Sequence, residues 1–214
     1  MNKIYFTADT HFFHTNILKH CPERPYFGTD EGTLHDEWLV DLWNKTIQKK
    51  DIVYIVGDFA FGNRERVMKL LEKLYGKKHL IISNHDASSS KLSNYFESMQ
   101  QIKDLNFKTS LFPFLEKDFS VALCHYPLVS WNRKSYGACM VHGHCHGRLD
   151  EYNRKTGDLR VDVGIDGTLS RECDGFVSLE DLYQYFLSIA KYNDFACYVE
   201  DNRLGSSTSL SAKS

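Results

Sequence analysis

The sequence predicts an α/β protein with two sheets. Three observations carry this. Apolar runs of strand length alternate with helix-period segments through the first half. The second half holds more short apolar runs than helices. Five of the apolar runs end in a residue able to hold a cation. Strand–helix alternation implies a parallel sheet with crossover helices, whose functional loops lie at the carboxyl ends of the strands.

The elements follow in order. Residues 4–8 read as a central strand. Residues 10–32 form a loop with Pro22, Pro25 and Gly28, too long for a plain turn and placed to shape a pocket. Residues 33–49 read as a helix, with Leu34, Trp38, Leu42 and Trp43 at helical spacing and a capping box at Thr33-Leu34-His35-Asp36. A continuous apolar strand over 52–56 stops at Gly57-Asp58. A helix over 64–75 shows Val67, Leu70, Leu71 and Leu74 on one face, with Gly76 as its stop. A strand over 79–82 ends at Ser83-Asn84-His85-Asp86. Beyond it, residues 106–115, 120–123, 138–141 and 159–163 read as short strands of a second, more antiparallel sheet. Ser178 caps a helix over 179–191 through Ser178-Leu179-Glu180-Asp181. Residues 195–199 suit one more strand. A single domain is expected over 1–200, with a Ser-rich, mobile polar tail over 201–214.

Composition narrows the function classes. The 214 residues, 42% hydrophobic, suffice for one sizeable core. A net charge of −2, from 26 basic and 28 acidic residues, provides no electrostatic footprint for bulk nucleic-acid or membrane binding. The six Cys show no Cys-x-x-Cys spacing, which argues against a structural zinc knuckle. Asp9 comes too early for a signal peptide to precede it, and no apolar run approaches the roughly 18 residues of a membrane helix. Unpaired thiols with no export signal suit a reducing cytoplasm, and no membrane partner is expected.

The chemistry lies in the strand-end residues. Asp9 and His11 are spaced i, i+2, so on extended backbone both reach one ion, and carboxylate with imidazole suits Mn, Fe, Ni or Zn. Alone, the pair equally suits a turn. Asp58 at a strand end is placed to bridge two cations and offset their repulsion; alone it also suits a helix cap. Asn84 offers a carbonyl oxygen, His85 a proton for a leaving group, and Asp86 a partner to orient His85. His125 follows a buried run. Gly143-His144-Cys145-His146-Gly147 is the strongest single motif, since flanking Gly permits a tight backbone and two His at i, i+2 serve one or two ions. His142, just before it, reads as a supporting or packing group.

In this order, Asp9-Thr10-His11, Gly57-Asp58, Ser83-Asn84-His85-Asp86, His125 and Gly143-His144-Cys145-His146 resemble the signature of the calcineurin-like metallophosphoesterases, over roughly residues 4–166. Phe6-Thr7-Ala8-Asp9-Thr10-His11-Phe12 and Asp162-Val163-Gly164-Ile165-Asp166 are similar to the small bacterial and phage group of that family. The resemblance implies a four-layer α/β/β/α sandwich of two mixed β-sheets flanked by helices, with a metal site at the strand carboxyl ends. It implies two divalent or transition metal ions (Mn, Fe, Zn or Ni). Asp9, His11 and His146 would hold one, Asn84, His125 and His144 the other, with Asp58 bridging them and His85 facing the scissile phosphate. The activity implied is hydrolysis of a phosphomonoester or phosphodiester, a small nucleotide-like substrate, by attack of metal-bound hydroxide. One departure stands out: Ser83 occupies the family's usual Gly position, and a positive φ there would cost Ser about 1–2 kcal/mol.

Substrate contacts must come from outside the ligand set. Arg148, Arg64 and His14 are the leading candidates, with Asn16 and Arg24 also near the motifs; an Arg fork suits phosphate. Phe12 and Phe13 suit either base stacking or core packing. Two rival readings remain: a nuclease acting on DNA or RNA, disfavoured by the acidic balance, and a non-catalytic metal-binding scaffold, disfavoured by the complete motif set. Oligomeric state is not legible in the sequence.

Overall fold

The computed structural model describes residues 2–24, 31–86 and 89–189. The expected strand over 195–199 and the tail over 201–214 lie outside the described residues. The first sheet has the order β4-β3-β2-β1-β9. Its strands are β1 (Ile4–Thr7), β2 (Ile52–Ile55), β3 (Lys77–Ile81), β4 (Ser98–Gln100) and β9 (Val177–Ser178). The first four run parallel and β9 runs antiparallel to β1. The second sheet has the order β5-β6-β7-β8, with β5 (Ile102–Phe107), β6 (Phe119–Cys124), β7 (Cys139–His142) and β8 (Arg160–Asp162).

Period-2 alternation buries both faces of the first sheet. Phe6, Tyr54, Val56 and Ile81 point into a core shared with Phe119, Val121, Leu123, Val141 and Val161 of the second sheet. The intervening Tyr5, Val53, Ile55 and Leu80 pack under helices instead. Those helices are α2 (Glu31–Thr46), through Leu39 and Trp43, and α3 (Arg64–Lys73), through Val67, Leu70 and Leu71. Two-sided burial explains why these strands read as continuous apolar runs. The short α1 (Ile17–His20) buries Ile17 and Leu18; α4 (Asp150–Thr156) and α5 (Thr168–Glu172) pack against β8; α6 (Leu179–Leu187) sends Leu182, Tyr183 and Phe186 into the shared core. The expected architecture, two mixed sheets flanked by helices, is the observed one.

The register places the site. Thr7 pairs with Ile55, and Ile55 with Leu80, so β1, β2 and β3 end level. In the second sheet Leu123, Val141 and Val161 pair in line. The two sheets are stitched at this edge: Ala8 donates to the carbonyl of Val163 at 3.1 Å and accepts from Ile165 at 3.1 Å. All the motif loops therefore emerge along one seam.

Three expectations need adjustment. The second sheet is less antiparallel than expected, since β6–β7 and β7–β8 are parallel and only β5–β6 is antiparallel. The crossover after β7 carries α4, a helix too short to show an apolar period. The helix expected from Thr33 begins at Glu31, so Thr33 is helical and the expected capping box is absent. Asp36 instead accepts a hydrogen bond from the Phe13 amide at 3.0 Å, tying α2 to the first motif loop. The strand expected over 106–115 is β5, displaced upstream, because β5 exposes alternate residues and lacks an apolar run. The Ser178 capping box is present, with Asp181 at N3.

Candidate metal centre

Among the loops at the seam, those after β1 and β2 grip each other. Asp9 donates its amide to the Gly57 carbonyl at 3.1 Å and His11 to that of Asp58 at 3.0 Å. Asp9, His11, Asp58, His144 and His146 all adopt left-handed backbone, with φ between 50° and 70°. Each such residue costs on the order of 1 kcal/mol or more, and strain of this kind persists only where surrounding contacts impose it. In this site it turns consecutive side chains toward one point. Gly57 is required: at φ +89°, an added Cβ would lie 2.3 Å from His125 Nδ1. Gly143 is required as well, since a Cβ there would lie 2.6 Å from Asp9 Oδ2.

The geometry brings five of the expected residues together. His11 Nε2 lies 4.0 Å from Asp9 Oδ1 and 3.6 Å from Asp58 Oδ2, and His125 Nε2 lies 3.5 Å from Asp58 Oδ1. Two sets, Asp9 with His11 and His146, and Asp9 with Asp58 and His125, each offer donor atoms within 4.8 Å of one another. His125 donates Nδ1–H to the Val56 carbonyl at 2.9 Å, which leaves its Nε2 lone pair facing Asp58. The amide of His144 donates to Asp9 Oδ2 at 2.9 Å. Asp9 Oδ1, both nitrogens of His11 and His125 Nε2 are buried with no hydrogen-bond partner. Buried orphan acceptors are rare and costly, and these converge.

Electrostatics point the same way. Burial, then the charges of Asp162 and Asp58, push the Asp9 carboxyl well above the usual range. Burial, with Arg24 adding to it, pushes the His11 imidazole down to about 2, and burial also lowers His125. Neutral imidazoles with free lone pairs beside crowded carboxylates fit a metal cation.

The remaining expected residues lie partly beside this cluster and partly away from it. Asn84 is exposed, and its Oδ1 accepts from the Tyr126 hydroxyl at 3.0 Å. The exposed His144 stacks edge-on against His125 and Tyr126, with ring centroids 5.1 and 4.9 Å away. His85 is exposed and sits 4.7 Å from the ring of Phe61 and 6.3 Å from that of His11. His14 stacks on Phe61 at 4.3 Å, beside His11 at 5.4 Å. Arg148 is exposed, its charge felt by Cys21 and Cys145. Arg64 is exposed at the start of α3, where its charge acts on Tyr95; no described contact joins it to the cluster. Asn16 stands exposed before α1. Phe12 is core, and Phe13 lies beneath the Arg66 guanidinium at 3.9 Å. His142 is buried and donates Nδ1–H to the Gly143 carbonyl at 2.8 Å, supporting the motif loop.

Some roles differ from those expected. Ser83 is absent from the left-handed residues, so its replacement of Gly carries no φ penalty. Its hydroxyl lies 2.5 Å from Asp58 Oδ1 and 2.6 Å from Asp86 Oδ2, and accepts from the Asp58 amide at 3.0 Å. Asp86, expected to orient His85, turns its carboxylate to the amides of Asp58, Phe59 and Ser83 at 3.1, 3.3 and 3.1 Å. Arg24, expected near the rim, is buried and paired with Asp166 at 2.6 Å. Asp162 is fully buried, accepting from Gly147 at 3.0 Å and Gly164 at 2.8 Å. Its place in the Asp162-Val163-Gly164-Ile165-Asp166 segment was the available signal.

Residues 2–171 match the model of the calcineurin-like phosphoesterases, and the chain belongs to that family. It is accordingly a metal-dependent phosphoric ester hydrolase, whose substrate is a phosphate ester. It is similar to an uncharacterized protein of Methanocaldococcus jannaschii, 32% identical over 171 residues that span 77% of this chain and 84% of the relative. It is also similar to the Gene 66 protein of Mycobacterium phage D29, 26% identical over 185 residues, covering 78% of this chain and 89% of that one. A solved structure of a protein of unknown function from Aquifex aeolicus shares the fold, with a TM-score of 0.61 at 20% identity over 86% of this chain and all of that one. No helix among the described residues is long and apolar enough to cross a membrane.

Proposed function

We propose that this chain hydrolyses a small, nucleotide-like phosphomonoester or phosphodiester at a centre for two cations of the Mn, Fe, Zn or Ni class. The observation that carries the reading is the convergence of Asp9 Oδ1, His11 Nε2 and His125 Nε2, all buried and partnerless, around the Asp58 carboxylate. Asp9, His11 and His146 would hold one cation, Asn84, His125 and His144 the other, and Asp58 would serve both. When bound, the cations supply Lewis acidity to the phosphoryl group and lower the pKa of water.

The chain's own residues do the rest. His85, exposed beside the cluster, gives a proton to the leaving oxygen. Phe61 packs against the imidazoles of both His85 and His14, at 4.7 and 4.3 Å between ring centroids, and so limits how far the proton donor can swing. Arg148, exposed and charged, meets phosphate oxygens at the rim. The free, buried thiols of Cys21, Cys124 and Cys139 suit work in the cytoplasm.

A screen of the Mn²⁺-loaded protein against mononucleotides, cyclic nucleotides and an aryl phosphodiester tests the reading. Turnover should fall by about 10²–10³-fold or more in Asp58→Ala, as expected when a central electrostatic element is removed. The variant should also lose bound metal. Wild-type turnover by that variant at wild-type metal content contradicts the scheme.

A further inference from the structure

The hydrolytic scheme leaves one buried ion pair unused. Arg24 lies between α1 and α2, with its side chain only 1% exposed. Its Nε donates to Asp166 Oδ1 at 2.8 Å and its Nη2 to Oδ2 at 2.6 Å, a two-point fork. The same guanidinium donates to the carbonyls of Asp9 at 2.6 Å and Thr10 at 3.2 Å. Asp166 Oδ2 in turn accepts from His146 Nδ1 at 2.6 Å. One planar cation thus holds the backbone at Asp9 and Thr10, after β1 of the first sheet, and, through Asp166, the imidazole of His146, which follows β7 of the second sheet.

We propose that Arg24 and Asp166 are positioning residues that set the geometry of the Asp9, His11 and His146 half of the centre. The inference rests on the two-cation reading of the site. Two physical points carry it. Donation from Nδ1 to Asp166 leaves Nε2 as the lone-pair nitrogen of His146, and a ligating histidine is commonly fixed this way by a carboxylate on its other nitrogen. Asp9 and His146 both sit in left-handed backbone, at φ 52° and 50°, and the Asp9 carbonyl is held in that strained orientation by Arg24. A buried ion pair contributes little net stability against an apolar alternative, so geometry is the better account of this one. Lys could not replace Arg24, because a single ammonium lacks the fork that reaches both carboxylate oxygens and both carbonyls.

Cys21 Sγ lies 3.4 Å from His146 Nδ1, and Cys21, His146 and Asp166 form a third grouping able to hold a metal. A cation there would press against the Arg24 guanidinium, and both Asp166 oxygens already accept its hydrogen bonds. That grouping is therefore assigned to support and not to a further ion.

The test is calorimetric titration of the metal-free protein with Mn²⁺ alone. Wild type should bind two ions. Asp166→Asn should weaken one of them by about 10–100-fold, the usual cost of losing such a support, and leave the other within about twofold. Arg24→Lys should weaken the same ion. Because a single charge deletion leaves its partner buried and unpaired, the Arg24→Gln/Asp166→Asn double variant guards against loss of the fold, and the same selective loss is expected there. Selective loss supports the positioning role whatever the turnover on phosphate esters. Wild-type affinity for both ions in Asp166→Asn, or equal weakening of both ions in a folded double variant, overturns it. A wild-type protein that binds no Mn²⁺ overturns the two-cation reading and this inference together.

Discussion

Ser83 shows how one hydroxyl holds a candidate ligand in place. It bridges Asp58 and Asp86 and accepts from the Asp58 amide. Ser83→Ala removes the hydroxyl without touching the backbone, while the Asp58 amide keeps its second acceptor on Asp86. The expected cost is therefore about 1.5–3 kcal/mol, the net value of a hydrogen bond to a charged group, measured by urea denaturation of the metal-free protein. The candidate ligands were legible in the sequence because Asp and His at strand ends are chemically conspicuous. Their supports were not. Arg24 and Asp166 stand 142 positions apart and meet only because the two sheets join at Ala8. Ser83 was conspicuous for the wrong reason: sequence suggested a φ cost, whereas the hydroxyl is what matters.

At the scale of elements, the parallel strands of the first sheet were plain from their apolar runs, since both faces are buried. The second sheet was harder. Strand β5 shows water its alternate residues, so its apolar signal is weak and its position is poorly marked in the sequence. Helix α4 is a single short segment, yet it carries end signals that sequence can show: Asp150 and Glu151 in its first turn, Arg154 and Lys155 in its last, and Gly157 at φ 60° after it. Those signals mark a crossover helix, which goes with the parallel pairing of β7 and β8. The turn after β2 yields a prediction. Gly57→Ala forces a Cβ onto the His125 ring and a side chain into left-handed backbone. A loss of about 1–3 kcal/mol in urea denaturation is expected, together with weaker Mn²⁺ uptake from displacement of His125. Unchanged stability and uptake would show that the His125 position is not constrained by this turn.

The whole molecule is a sandwich whose two sheets share one edge, and that edge gathers the chemistry. Away from it, Lys78 on β3 is buried, and burial pushes its amine from the ordinary 10.5 down to about 8. Between those values the unfolded chain carries a proton that the folded chain does not, so stability rises with pH across that window. Below pH 8 both states are protonated and the folded state bears the full penalty of the buried ammonium. Lys78→Met should therefore be more stable than wild type at pH 7, with the advantage shrinking toward pH 10. Urea midpoints at the two pH values decide it; an advantage that stays constant with pH contradicts a buried ammonium that titrates in this window.

Under the proposed function, strand-end residues from both sheets assemble one centre for two cations around Asp58. Anomalous diffraction at the manganese edge, from crystals grown with Mn²⁺, tests it most directly. Two peaks are expected on either side of the Asp58 carboxylate, one against Asp9, His11 and His146 and the other against Asn84, His125 and His144. A single peak remote from Asp58, or none at saturating Mn²⁺, would contradict it.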